Sequence, residues 1–112
     1  MTKQQTCKER ISKEWEQTKK GWLRADKKNE LSEYGLAIDY VPAHTFTDQK
    51  SGYLRYQFSW GGPSDELRIY RSGKIEYWFM DWYDGAKKIV TNDPTARLMA
   101  KYAQENRGMG CN

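Results

Sequence analysis

The chain has 112 residues, with 19 lysines and arginines against 15 aspartates and glutamates, a net charge of +4 and a mean hydropathy of −1.02. No apolar run approaches the roughly 20 residues that cross a membrane, and no apolar segment near the amino terminus predicts a secretory signal. Cys7 and Cys111 have neither CxxC spacing nor neighbouring histidines, which argues against a zinc site. We therefore expect one cytoplasmic domain over residues 1–112, without metal or cofactor.

Residues 4–24 are predicted to form the first helix, because side chains recur at helical spacing along one face. Those side chains are Cys7, Ile11, Trp15, Thr18 and Trp22. Either Thr6 or Thr2 is the expected cap. Residues 1–30 hold nine basic and five acidic side chains, so the excess positive charge lies on this segment.

Five segments in the middle of the chain have the composition of strands. They are residues 34–41, 53–60, 66–70, 75–83 and 87–90. Strict alternation over 53–60 predicts a sheet with one face in water. Residues 75–83 are apolar on both faces, which favours a central position with a helix over part of the second face.

The sequence Asn92-Asp93-Pro94 predicts the start of a second helix, because a capping side chain precedes proline at the first helical position. Gly108 is the expected end of this helix. The fold class is therefore predicted to be α+β. A four- or five-stranded antiparallel meander packs against an N-terminal and a C-terminal helix, and both helices lie on one face.

Catalytic chemistry has little support in the sequence. The lone histidine, His44, lies in a polar loop without an evident partner. Carboxylates near strand ends are suited to a divalent metal, and a hydrolase or nuclease using Asp81 and Asp84 is the third class of function that we considered. These carboxylates are Asp65, Glu66, Asp81 and Asp84. We favour their pairing across the wet sheet face with Arg55, Arg68 and Arg71, and we expect that the chain is not an enzyme.

Nucleic-acid binding is the alternative function. The basic first helix would contact phosphates, with Lys13, Lys19 and Lys20 as its candidate residues. Lys8, Arg10 and Lys27 extend the same set. The aromatic residues of the meander alternate inward, however, so they are better interpreted as core than as a stacking platform.

A protein partner is the leading hypothesis, because the meander holds more tryptophan and tyrosine than a core of this size needs and both are preferred interface anchors. The candidate partner-binding residues are Trp60, Asp65, Glu66, Trp82 and Asp84. The apolarity on both faces around Trp78 also allows a dimer seam, so the chain is expected to be a monomer or a homodimer.

Two stretches of the meander have an unusual sequence, Phe58-Ser-Trp-Gly-Gly-Pro-Ser-Asp-Glu-Leu-Arg-Ile-Tyr70 and Ile75-Glu-Tyr-Trp-Phe-Met-Asp-Trp-Tyr-Asp-Gly-Ala86. Over about residues 53–90 the chain resembles small accessory proteins of bacterial plasmids, conjugative elements and phages. The resemblance implies a mobile-element setting, in which small proteins often inhibit CRISPR or restriction nucleases or assist transfer. Many such inhibitors are acidic mimics of DNA, and the basic character of this chain disfavours that mechanism. We therefore expect a binding protein that inhibits a host defence complex.

Overall fold

A computed structural model describes residues 6–35, 37–59, 63–81 and 84–107 of the chain. The elements are α1 (Cys7–Lys27), a short 3-10 helix (Leu31–Glu33), β1 (Ala37–Val41), β2 (Tyr53–Ser59), β3 (Ser64–Tyr70), β4 (Ile75–Asp81), β5 (Asp84–Ile89) and α2 (Pro94–Glu105). This is the α+β architecture that the sequence predicts, with five strands in one sheet.

Helix α1 begins at a reciprocal cap. The Thr6 hydroxyl accepts from the backbone N–H of Glu9, and the Glu9 carboxylate accepts from the backbone N–H of Thr6. The predicted face is buried along its whole length and continues to Ala25. The helix therefore ends at Lys27, three residues beyond the predicted end.

The five strands form an antiparallel meander in the order β1-β2-β3-β4-β5. On one face of the sheet, Ile38 lies opposite Tyr56, Tyr56 opposite Leu67 and Leu67 opposite Tyr77. The β3–β4 turn lies between Tyr70 and Ile75, and Gly73 adopts a φ of 97° there, a value that glycine tolerates without strain. Each strand thus pairs with the next along the chain, without a crossover.

Both helices pack on the face of the sheet that carries Tyr56 and Tyr77. The Trp22 indole N–H donates to the Tyr56 hydroxyl at 3.1 Å, and the Tyr102 ring of α2 stacks on Tyr56 with centroids 5.9 Å apart. The Trp15 ring lies 4.8 Å from Tyr77. Aromatic side chains of both helices and of the sheet therefore pack against one another in the core, as the low hydropathy and high aromatic content predict.

Asp93 joins the two helices. Its carboxylate accepts from the backbone N–H groups of Thr95 and Ala96 and so caps α2, which begins at Pro94 as predicted. The other carboxylate oxygen accepts from the Lys19 ammonium at 3.0 Å. One side chain therefore caps the second helix and ties it to the first.

Strand β4 lies inside the sheet, between β3 and β5. The prediction that a helix covers part of its second face is wrong. Both helices lie on the Tyr77 side, whereas Trp78 on the other side lies against the cations Arg68 and Lys87. Within the described ranges neither helix has the length and apolar character needed to cross a bilayer.

Candidate binding site on the open face of the sheet

The sheet face turned away from both helices, called here the open face, carries two rows of polar side chains. In the first row Asp39 lies opposite Arg55, Arg55 opposite Arg68 and Arg68 opposite Glu76. The second row runs through Gln57, Glu66, Trp78 and Lys87. Strand pairing alone therefore brings residues from all five strands into one charged and aromatic surface.

Arg55 and Arg68 lie directly opposite each other, an arrangement that is unfavourable unless each charge has its own partner. Arg55 donates through Nε and Nη2 to the two carboxylate oxygens of Asp39, at 3.0 and 2.7 Å. That hydrogen bonding raises the pKa of Arg55 against the opposing effect of burial. Arg68 donates through Nε to Glu66 at 2.7 Å. The two arginines are thus turned to different carboxylates and held in place.

Glu76 is the best-buried charged residue described on the open face, with 1% of the residue exposed. One carboxylate oxygen accepts from the Tyr70 hydroxyl at 2.8 Å and from the Trp78 indole at 3.0 Å. The other lies 3.5 Å from the ammonium groups of both Lys74 and Lys87. Burial raises the pKa of Glu76, but the two hydrogen bonds and the two cations outweigh it, so the pKa lies below its ordinary value.

The aromatic rings of the open face are covered by cations. The Arg68 guanidinium carbon lies 3.9 Å from the centroid of the Trp78 ring and 4.7 Å from that of Tyr53. The Lys74 ammonium lies 4.7 Å from the centroid of the Tyr70 ring. These cation–π contacts fix the rings and the cations together, and they leave less ring surface for a ligand to stack on.

The connection between β1 and β2, residues 42–52, forms one wall of a groove of about 870 Å³ over this face. Gln49 holds the connection together: its amide donates to the carbonyls of Pro42 and Ser51 and accepts from the backbone N–H of Phe46. His44 adopts a φ of 65° in the same segment. The loop is thus internally hydrogen-bonded, and it presents Phe46 at 50% exposure beside the groove.

The predicted partner-binding residues do not form one site. Glu66 lies on the floor of the open-face groove, at 5% exposure and paired with Arg68. Asp65 and Asp84 lie on the helix side of the sheet. Trp60 and Trp82 lie outside the described residues.

Asp65 is the centre of a buried network between α1 and the sheet. Its carboxylate accepts from the Thr18 hydroxyl at 2.7 Å, from the Tyr77 hydroxyl at 2.6 Å and from the Ser59 hydroxyl. The side chain is 6% exposed. Its contacts therefore hold the first helix against β2, β3 and β4, and they leave it little surface for a partner.

The carboxylates considered for a metal enzyme also hold the first helix. Asp81 accepts from the Arg10 guanidinium at 2.5 Å, and Asp84 accepts from the backbone N–H of Cys7 at 2.7 Å. The bond from Cys7 lowers the pKa of Asp84. Among the residues that the structure describes, no group of three histidine, cysteine or acidic side chains is arranged to hold a metal ion.

The three lysines proposed for nucleic-acid binding differ in their surroundings. Lys13 and Lys20 are exposed on the outer face of α1. Lys19 instead forms ion pairs with Asp93 at 3.0 Å and Glu16 at 2.9 Å. The predicted basic face therefore contains one lysine that is already engaged in holding the two helices together.

Comparison of the chain with models of known protein families, with curated proteins and with solved structures finds no match. The resemblance to mobile-element accessory proteins stays a prediction.

Sequence reasoning missed Phe46, Gln49 and Glu76 as parts of one surface. A signal for Glu76 and its neighbours does exist, since positions 55, 57, 66, 68 and 76 alternate with apolar positions and carry charged or amide side chains. The loop has no such signal, because its order comes from bonds between the Gln49 side chain and the backbone.

Proposed function

We propose that this chain is a non-enzymatic binding protein whose partner is a protein and whose binding surface is the open-face groove. The groove, walled by an internally hydrogen-bonded loop, is the observation that carries the proposal. Loops that present contact residues from a rigid scaffold are the usual location of binding sites.

Preorganisation supports the same proposal. The side chains of the groove floor are held by ion pairs and cation–π contacts, and the loop is held by Gln49. A partner would therefore meet a surface whose side chains have already lost most of their freedom, which lowers the entropic cost of association. The exposed ring of Phe46 supplies an apolar anchor at the rim.

Photocrosslinking in the host cell tests the proposal. The photoreactive amino acid benzoylphenylalanine replaces Phe46 in one variant and Leu98 in the matched control. Both residues are 50% exposed, but Leu98 lies on α2, away from the groove. We expect the Phe46 variant to form a discrete protein adduct that survives nuclease treatment, and the Leu98 variant not to form it. The same adduct from both variants, or no adduct from either, would refute the groove as the binding surface.

The target class that we propose is a host defence complex, such as a CRISPR or restriction nuclease, and this part rests on the resemblance alone. Expression of the chain in a host with an active defence system should raise the plating efficiency of a sensitive phage. An unchanged efficiency across hosts with each defence type would reject inhibition, while the crosslinking result would still decide whether the groove binds a protein.

A further inference from the structure

The open-face groove offers hydrogen-bond donors that its own residues do not use. Arg68 donates a hydrogen bond from Nε to Glu66. Among the described residues, its Nη1 and Nη2 atoms have no hydrogen-bond partner. A guanidinium carries four N–H groups on those two atoms, in a planar fork that matches a carboxylate. The side chain is clamped between the rings of Trp78 and Tyr53, so the fork is already oriented.

The lysines at the rim are accessible, whereas the carboxylates of Glu66 and Glu76 on the floor are buried. The side chains of Lys74 and Lys87 are 48% and 54% exposed, but that of Glu76, which they share, is 2% exposed. Lys50 also lines the groove and is exposed, with no ion pair among the described residues. Among the described lining residues, three exposed lysines thus stand against one exposed carboxylate, that of Asp48, and the groove favours an anion.

The same geometry separates two kinds of anionic ligand. Single-stranded nucleic acid is held by stacking of its bases on open aromatic faces. Here cations already lie over the rings of Trp78, Tyr53 and Tyr70. The apolar surfaces left at the groove are Phe46 and Met80, which suit aliphatic or aromatic side chains.

From this charge complementarity we infer that the partner segment in the groove is an acidic stretch of polypeptide, with one carboxylate on the Arg68 fork and others at Lys74 and Lys87. Apolar side chains of the same segment contact Phe46. The inference rests on the proposed function and adds to it the chemistry of the partner.

Selection of random 12-residue peptides displayed on phage, with the immobilised full chain as bait, tests this inference. Enriched peptides are then synthesised with a fluorescein label, and their affinities are measured by fluorescence anisotropy. We expect enrichment of Asp and Glu, and a loss of binding of about 10-fold or more in Arg68→Gln. Replacing Glu by Gln in the peptide should produce a similar loss.

Lys50→Glu is the second variant, because an exposed side chain can change without disturbing the floor of the groove. We expect it to weaken binding about 3- to 10-fold, more so at low salt. Lys20→Glu is its matched control, with the same charge change on the outer face of α1, and should stay within about 2-fold. Circular dichroism verifies that each variant is folded.

The outcomes separate the inference from the proposed function. Neutral or basic peptides that lose affinity in Phe46→Ser would overturn the acidic segment and leave the groove as a protein-binding surface. Peptides that bind equally to wild type, Phe46→Ser and Lys50→Glu would overturn both. A 12-nucleotide oligothymidylate that binds more tightly than every peptide and loses affinity in Arg68→Gln would assign the groove to nucleic acid instead.

Discussion

Replacing Asp65 by alanine is expected to destabilise the fold rather than only to remove a surface contact. The carboxylate accepts from Thr18, Tyr77 and Ser59, and a hydrogen bond to a charged group contributes about 1.5–3 kcal/mol. Two effects reduce the sum. Burying a carboxylate costs several kcal/mol, and the variant avoids that cost. The hydroxyls of Thr18 and Tyr77, 3.4 Å apart, can also bond to each other.

The net loss in the free energy of unfolding is therefore expected to be about 3 kcal/mol, which corresponds to a melting temperature roughly 10–15 °C lower for a chain of this size. Urea denaturation followed by circular dichroism measures this loss. The slope of the unfolding free energy against urea concentration should be the same in the variant and in wild type. Asp26→Ala, on an exposed site of α1, is the control and should stay within about 0.5 kcal/mol.

A double-mutant cycle locates the effect. Tyr77→Phe removes one donor to Asp65, so the double variant should be more stable than additivity predicts, with a coupling of about 1–2 kcal/mol. A loss below about 1 kcal/mol in Asp65→Ala would refute the conclusion that this carboxylate holds α1 to the sheet. If partner binding were then lost without destabilisation, the sequence-based assignment of Asp65 to partner binding would be correct.

Three further predictions follow from other groups. The folded-state pKa of Glu76 is depressed, so its charge stabilises the fold above the ordinary pKa of 4.5. The difference in unfolding free energy between wild type and Glu76→Gln, measured by urea denaturation, should therefore shrink as the pH falls below 4.5. A difference that stays constant with pH would contradict this prediction. Burial and the nearby Asp84 raise the pKa of the Cys7 thiol. In a Cys111→Ser background, a disulfide reagent should therefore modify Cys7 slowly until urea unfolds the chain. Equal modification rates in the folded and unfolded states would be inconsistent with this burial. Asp93→Ala should lower the free energy of unfolding, measured by urea denaturation, by about 1–2 kcal/mol. Asp93→Asn should lower it less, because asparagine can also cap α2. Equal losses in the two variants would assign the effect to the ion pair with Lys19.

Much of the fold is predictable because periodicity and capping act locally. The face of α1, the cap at Thr6 and the start of α2 at Pro94 are all confirmed. The boundaries of strands are less well predicted: β1 begins at Ala37, after a short 3-10 helix that the sequence does not announce.

The candidate site is harder to predict, for physical reasons. Asp65 and Glu66 are adjacent on β3, and successive side chains of a strand point to opposite faces, so the two cannot contribute to one surface. Which of the two faces the helices depends on how α1 packs on the sheet. The hydrogen bonds from Thr18 and Tyr77 to Asp65 decide this, and they form only in the folded chain. Likewise, no periodic pattern marks Gln49 as the residue that orders its loop.

The attachment of α1 has a consequence for how the chain reaches its native state during synthesis. The helix is translated before the sheet, yet the groups that hold it, Asp65, Asp81 and Asp84, lie 47 to 77 residues further along the chain. Each strand of the meander, by contrast, pairs with the next along the chain, so the sheet can form from contacts of shorter sequence separation. A nascent chain therefore exposes Trp15 and Trp22 of α1 until the strands that cover them have left the ribosome, and apolar surface exposed in this interval favours aggregation.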